Sequence, residues 1–217
     1  MKRDVVSGSL LIAGALASVL VMVLHPTAHG RITSEGFQSL ATLARAVHAL
    51  ALAATPVVFL GLLGAGRRLG PSDLATAGLV AYGFGSVAVL GAAVASGFVV
   101  PGVMERIAPA RGTDLAHALA AYTHLWNQAF AKVHAVAFSV GMLLFAAALL
   151  RRRGRLKLAA ATGIAGIVIG LGVLLALFPG HLLLDLHGAR IVNIAQAAWL
   201  LCLGILLCRA APDVEAA

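Results

Sequence analysis

The chain has 217 residues, of which 61% are hydrophobic and only 11% are charged, and its mean hydropathy is +0.99. Soluble domains carry about 25% charged residues, so this composition excludes a water-soluble globular protein and indicates that lipid surrounds most of the chain. The net charge of +8 comes largely from short basic runs, and the densest, RRRGRLK (151–157), is a turn between two apolar segments. Such a turn favours contact with anionic lipid headgroups over nucleic-acid binding.

Six apolar segments follow one another along the chain, and each approaches or exceeds the roughly 20 residues that a helix needs to cross a bilayer. They predict transmembrane helices at about 5–24, 39–66, 74–99, 115–150, 157–178 and 189–208. Barrel strands would alternate with a period of two, which these segments do not do. We therefore expect an all-α integral membrane protein in which residues 1–217 form a single transmembrane domain, a six-helix bundle.

The first segment follows Met1-Lys2-Arg3, a basic start that is similar to a secretory signal. It stays apolar for about twenty residues, whereas a signal core has roughly 7–15, and no clear small-x-small cleavage site closes it. We expect this helix to be retained in the membrane. Cleavage, which is the alternative, would leave five helices in the same orientation.

Basic residues are divided unevenly between the two ends of the predicted helices. One side carries Lys2, Arg3, Arg67, Arg68, Arg151, Arg152, Arg153, Arg155, Lys157 and Arg209, and the other side carries Arg31, Arg106, Arg111 and Arg190. Cytoplasmic loops of membrane proteins carry the excess of lysine and arginine, so both termini are predicted to be cytoplasmic.

All eight histidines fall toward the outer end of the predicted bundle. His48 lies 19 residues from Arg67 and His134 lies 17 from Arg151, which at about 1.5 Å per residue is roughly 25–29 Å from the cytoplasmic side. The same layer contains Arg45, His124, Asn127, Gln128, Lys132, Arg190, Asn193 and Gln196. Ionisable residues inside a membrane are costly unless they face a polar interior, so the layer predicts an outward-facing pocket for a small polar ligand. The alternative is a structural collar of interfacial side chains.

The stretch PGHLLLDLHGAR (179–190) precedes the last predicted helix and has an H-x3-D-x-H pattern. Imidazole and carboxylate groups suit zinc or copper(II), so the pattern predicts a transition-metal site. The candidate ligands are His181, Asp185 and His187, with His25 and His29 added from the exit of the first helix. The alternative is that Asp185 only caps the last helix.

Two segments, ARAVHALAL (44–52) and FAKVHAVAF (130–138), are near-repeats on helices that both run from outside inward. His48 and His134 therefore lie at nearly the same depth. Axial ligation of a b-type haem requires two such imidazoles, with their other ring nitrogens bonded to carbonyls. Because there is one such pair, the alternative function is that of a single-haem electron carrier.

The fifth predicted helix contains Gly166 and Gly170 in GIAGIVIGLG, a small-x3-small pattern that lets two helices approach closely. The pattern favours a packing seam inside the chain, and a homo-oligomer through this helix is the alternative.

The segments WNQAFAKVHAVAFSVGMLLFAAALLRRRG and GHLLLDLHGARIVNIAQAAW resemble a group of uncharacterised bacterial six-helix membrane proteins. The resemblance implies the same six-helix layout and a bacterial cytoplasmic (inner) membrane location. It also implies a role for Asn127, Lys132, His181, Asp185 and His187, and it implies no particular activity.

Motifs of several enzyme classes are missing from the sequence, which contains no Walker loop, Gly-x-Ser-x-Gly elbow, HExxH or CxxC. Ligand binding is therefore favoured over catalysis. The sequence is also compatible with a metal-dependent membrane hydrolase and with a purely structural membrane protein.

Overall fold

The protein is helical along almost all of the chain that its computed structural model describes, namely residues 2–26, 34–151, 157–178, 184 and 186–209. The helices are α1 (Lys2–Leu24), α2 (Ser34–Arg68), α3 (Asp73–Val94), α4 (Val100–Arg111), α5 (Thr113–Arg151), α6 (Lys157–Leu177) and α7 (Leu186–Arg209). These ranges contain no strand, and six helical spans are long and apolar enough to cross a membrane. The expected all-α fold with six such helices is thus confirmed for the described residues.

A π-helical turn, Ala95–Val99, joins α3 to α4, so that residues 73–111 run as one continuous helical span. Hydropathy alone predicts an end near residue 99, just before Pro101. A proline lacks a backbone donor, and its ring crowds the carbonyl four residues earlier, here that of Gly97. Because Gly97 lies inside the π turn, where the backbone is wider, the helix accommodates the ring and continues.

Short turns stop the helices at residues suited to that purpose. Gly70 and Gly112 have φ angles of 65° and 95°, in the left-handed region that glycine adopts without steric cost. The side chain of Ser72 then caps α3 by accepting a hydrogen bond from the Ala75 amide at 3.3 Å. The two tight turns keep α2 antiparallel to α3 and α4 antiparallel to α5.

The six long helices form a ring. Helix α1 lies between α2 and α7, α3 lies between α2 and α5, and α6 lies between α5 and α7. Asp4 pairs with Arg68 at 3.6 Å, which places the start of α1 beside the end of α2. Consequently the ends of α2, α5 and α7, with the starts of α1, α3 and α6, share one end of the bundle.

The interior of the ring is filled at this basic end by large apolar side chains, notably Trp199, Phe145, Leu62 and Met142. Even the buried indole is satisfied, because Trp199 Nε1 donates to the carbonyl of Thr162 at 3.2 Å. On the outside, side chains such as those of Phe84, Val87, Val168 and Leu175 are exposed. An apolar outer surface of this kind suits contact with lipid.

The glycines of α6 pack against the chain's own helices. A Cβ at Gly166 would lie 2.6 Å from Trp199 Nε1, and one at Gly170 would lie 2.8 Å from Leu143 Cγ. The small-x3-small pattern therefore forms a seam with α5 and α7. These two glycines are thus occupied within the chain, and homo-oligomerisation stays a prediction.

Candidate functional site

A cavity of about 230 Å³ lies inside the ring at the end opposite the basic one, and we call it the polar cavity. Eight polar side chains line it: His25, His48, His124, Asn127, Gln128, His134, Asn193 and Gln196. The rest of the wall is aliphatic, mostly alanine and valine from α1, α2, α3, α5 and α7. The lining contributed by the described residues contains no Asp, Glu, Lys or Arg, so histidines are the only titratable side chains among them.

The polar layer predicted from sequence divides into two groups. His124, Asn127, Gln128, Asn193 and Gln196 line the polar cavity, as do both histidines of the predicted haem pair. Three cationic members are not among the residues that line the cavity. Lys132 is exposed, Arg45 forms an ion pair with Glu105 of α4, and Arg190 Nε donates to the carbonyl of Met22 at 3.1 Å.

His48 is held on α2 with one ring nitrogen already committed. Its Nδ1 lies 2.7 Å from the carbonyl oxygen of Ala44, and because a carbonyl only accepts, Nδ1 carries the proton. The neutral ring thus retains a lone pair on Nε2. The π turn packs closely against this side chain, since a Cβ on Gly97 would collide with the Cβ and Cγ atoms of His48.

His134 on α5 has the same arrangement with a different helix. Its Nδ1 lies 2.9 Å from the carbonyl oxygen of Gly85 on α3, so Nδ1 is again the donor and Nε2 keeps its lone pair. The two helices are close at this point, because a Cβ on Gly85 would lie 3.2 Å from Ala137 Cβ. The two imidazoles therefore both offer the polar cavity an acceptor or a metal-ligating atom.

His25 follows the last turn of α1 and meets His48 edge-on, with ring centroids 5.1 Å apart and an interplanar angle of 71°. Its Nδ1 is buried and has no hydrogen-bond partner among the described residues. Burial lowers the pKa of His25, the neighbouring His48 and Arg190 lower it further, and a hydrogen bond with the Pro26 backbone opposes them only in part. Near pH 7 this imidazole is therefore neutral.

Two amide side chains stand three residues apart on one face of α7. Gln196 is 4% exposed, and its Nε2 has no partner in the described part of the chain; Asn193 Oδ1 is likewise buried and unpaired there. An unpaired buried donor or acceptor costs about 1–3 kcal/mol. Both residues line the polar cavity, although these two atoms themselves expose almost no surface.

A second cavity of about 90 Å³ continues the first toward the middle of the bundle. The two cavities share His134, Asn193 and Gln196 on their walls, while the inner one adds Tyr82 and Phe138. The hydroxyl of Thr55, also on the inner wall, donates to the carbonyl of Ala51 at 2.9 Å. This inner cavity is therefore smaller than the polar cavity, and its wall also combines polar with apolar side chains.

The predicted metal site receives no support from the described residues, which contain no group of three or more His, Cys, Asp or Glu side chains able to hold a metal ion. His29, His181 and Asp185 lie outside the described residues. His187 is exposed in the first turn of α7, whereas His25 lies in the polar cavity.

The predicted haem pair has suitable hydrogen bonds but little space. Both Nδ1 atoms are bonded to carbonyls, as axial ligation requires. An apolar cavity of about 150 Å³ holds benzene. The polar cavity, at about 230 Å³, therefore suits a ligand of one substituted ring, whereas a haem is several times larger.

Sequence reasoning missed the helix α3–α4 side of the site. Gly85, Gly97 and Glu105 fix the positions of His134, His48 and Arg45, respectively. A signal was present, since glycines recur along an otherwise apolar segment and a single acid lies at its outer end.

Comparison with family models, with curated proteins and with solved structures finds no match for this chain.

Proposed function

We propose that this multi-pass membrane protein binds a small uncharged polar ligand in the polar cavity. The observation that carries the proposal is the convergence of eight polar side chains on one otherwise aliphatic cavity wall, in a bundle whose other end is filled by large apolar side chains. Polar atoms are costly to bury unpaired, and a ligand with matching groups removes that cost. Mostly aliphatic walls with a few convergent polar groups are typical of small-molecule sites.

The ligand we propose is neutral, because nothing on the described wall compensates a charge. Burying an ion without a partner costs far more than burying a neutral polar group. Of the cationic side chains of the same layer, Arg45 is paired to Glu105, and Arg190 is bonded to the backbone carbonyl of Met22. A hydrogen-bonding ligand with an apolar body matches both the polar and the aliphatic side chains of the wall.

We further propose that the polar cavity opens to the outside of a bacterial cytoplasmic (inner) membrane, with both termini cytoplasmic. The support is the excess of arginine and lysine at the opposite end of the bundle, together with the resemblance to bacterial six-helix proteins. In that orientation the site samples molecules outside the cell or in the outer leaflet.

Access to the polar cavity tests the proposed function. Ala135 on α5 lines the cavity and is buried, whereas Ala146 on the same helix is equally buried and lines neither chamber. In a variant lacking Cys202 and Cys208, we expect the thiol of Ala135→Cys to react with N-ethylmaleimide, a small neutral probe. Ala146→Cys is the matched control and should stay unmodified in the folded protein. Equal protection of both thiols would contradict an accessible cavity.

A single-haem electron carrier is the second candidate, favoured by the carbonyl bonds at His48 and His134. Absence of Soret absorption from the purified protein would exclude the haem and therefore this second candidate. Elemental analysis of the purified wild type and of His181→Ala for zinc and copper tests the predicted transition-metal site. The same measurement tests the related alternative, a metal-dependent membrane hydrolase.

A further inference from the structure

The first half of α5 carries a continuous row of exposed apolar side chains, which we call the α5 stripe: Leu115, Ala118, Leu119, Tyr122, Leu125, Trp126 and Ala129. Their spacing is that of positions a, d and e in a heptad repeat, so all of them share one face of the helix. At about 3.6 residues per turn, His124, Gln128 and Ala135 line the polar cavity from roughly the opposite face. The α5 stripe is therefore separate from the ligand site.

The α5 stripe extends beyond the depth at which lipid chains would cover it. Helix α5 has 39 residues, about 58 Å at 1.5 Å per residue, whereas the hydrocarbon core is about 30 Å thick. Counted from Arg151 at the basic end, that thickness ends near Lys132, an exposed charged residue. Leu115 lies 17 residues, roughly 25 Å, farther out. The exposed Phe84 and Val168 lie at membrane depth, but the outer part of the α5 stripe lies beyond it.

The surroundings of the α5 stripe at this level are polar. Helix α4, which packs along the first half of α5, exposes Arg106 and Arg111, and α5 itself begins with the exposed Asp114. Charged side chains of this kind are typical of a protein surface in water. A continuous apolar face in such surroundings marks a contact with another protein.

We propose that the α5 stripe binds the same stripe of a second copy of this chain, side by side in one membrane. Copies inserted in one orientation have parallel α5 helices, so identical heptad positions meet at identical heights. Apolar residues at a and d of two parallel helices form the seam of a two-stranded coiled coil. A face with this repeat is complementary to itself, and the shared orientation brings the matching positions together. The a and d positions are Leu115, Ala118, Tyr122, Leu125 and Ala129.

The area of the α5 stripe is sufficient for a pair of chains. Its five large side chains are 37–68% exposed and together present on the order of 600 Å². When two such faces meet, they bury up to about twice that area, which reaches the lower limit of roughly 1,200 Å² for a stable interface. Tyr122 and Trp126 supply much of this surface, and tyrosine and tryptophan are enriched among the residues that dominate binding energy at interfaces.

Disulfide formation between copies tests the seam. In a variant lacking Cys202 and Cys208, a cysteine at position 118 would face its counterpart, whereas Ala121, also an exposed alanine, lies roughly 100° around the helix from the centre of the stripe. We expect Ala118→Cys, oxidised in native membranes with copper phenanthroline, to give a covalent dimer, because a pair at position d lies within disulfide distance. Ala121→Cys is the matched control and should stay monomeric. Equal cross-linking of the two variants, or none from Ala118→Cys, would overturn the proposal.

Stoichiometry in lipid measures the contribution of the seam to association. Full-length protein carrying one fluorophore per chain and diluted into liposomes should bleach in two steps. Tyr122→Glu places a charge in the seam, and we expect it to raise the dimer dissociation constant tenfold or more. His117→Glu adds the same charge on the far, exposed side of α5 and should leave that constant unchanged. Because Tyr122 is exposed in the single chain, both variants should keep the helical circular dichroism of the wild type.

Other occupants of the α5 stripe give different results. If lipid headgroups or a different protein cover it, the purified wild type is monomeric in liposomes at every protein-to-lipid ratio, and Ala118→Cys gives no covalent dimer there. Equal dissociation constants for Tyr122→Glu and His117→Glu would place any dimer contact elsewhere on the chain. Each of these results would contradict the α5 contact. The measurements use no ligand, so their outcome does not depend on whether the polar cavity binds one.

Discussion

His25 illustrates how a residue at the mouth of the polar cavity links the site to pH. Its imidazole is half-buried beside His48, and Arg190 lies near enough to disfavour a second positive charge. The pKa of His25 is therefore lower in the folded protein than the value of about 6.5 expected in the unfolded chain. Its contribution to stability is fully present above about pH 6.5 and is lost as the pH falls through the lower, folded-state pKa.

We expect thermal stability to fall as the pH is lowered from 7 to 5, and we expect His25→Asn to make this fall shallower. His187→Asn, which changes an exposed histidine of α7, is the matched control and should keep the wild-type slope. The measurement is the melting temperature at several pH values in one detergent. A wild-type slope that His25→Asn leaves unchanged would contradict the burial of a neutral imidazole.

At the scale of single residues, the sequence predicts well how deep in the bundle a side chain lies, but it predicts poorly the direction in which that side chain points. The count from Arg67 and Arg151 places His48 and His134 in one layer, and both line the cavity. Depth follows from the fixed rise of a helix. Direction also depends on which partner a side chain reaches, as Arg45 shows by pairing with Glu105, 60 residues away in sequence. No periodic pattern in one helix carries that information.

The π turn is the element that connects helix geometry to the site. It sets Gly97 against His48, so closely that a Cβ would overlap the Cβ and Cγ atoms of the histidine. π turns in long helices are frequent at functional sites, and here the turn also accommodates Pro101. Small side chains on this span, including Ala92 and Ala93, leave the open volume of the polar cavity.

Two glycine substitutions in the same helical span test this role. We expect Gly97→Ala to destabilise the protein by about 1–3 kcal/mol, because it overpacks the contact with His48. Gly102→Ala is the matched control: a Cβ at Gly102 meets nothing within 4 Å, and alanine should stabilise the helix by about 0.5–1 kcal/mol. Thermal unfolding of both variants measures the difference. If the two substitutions behave alike, the π turn does not press on His48.

At the scale of helices, the number of apolar spans follows directly from hydropathy, whereas their outer ends do not. Hydropathy predicts an end near 99 for the third span, which extends to Arg111, and a start near 39 for the second, which begins at Ser34. Hydropathy identifies the residues that must be apolar because they lie in the hydrocarbon core, and a helix that continues beyond that core does not need apolar residues there. Its length is set there by partners instead, as α4 packs along the first half of α5.

The whole molecule is asymmetric from end to end. Large side chains around Trp199 and Phe145 fill the basic end, and the polar cavity occupies the other. The helix ends at the basic side are predictable, because basic residues mark them in the sequence. The cavity is not predictable in this way. Its volume is the space left when alanines and glycines from five helices pack together, and no single segment determines that volume.

Orientation in the membrane is the prediction that belongs to this scale. Lysine and arginine are concentrated at the end opposite the polar cavity, and such residues are retained in the cytoplasm. A green fluorescent protein fused to the C-terminus should therefore fluoresce, and alkaline phosphatase inserted at Gly112 should be active, because that exposed turn lies at the end of the bundle opposite the basic one. The Gly70 turn at the basic end is the matched insertion site, where alkaline phosphatase should be inactive. The reverse pattern would mean that the bundle has the opposite orientation in the membrane. The polar cavity would then bind its ligand from the cytoplasm, with the same hydrogen-bonding groups on its wall.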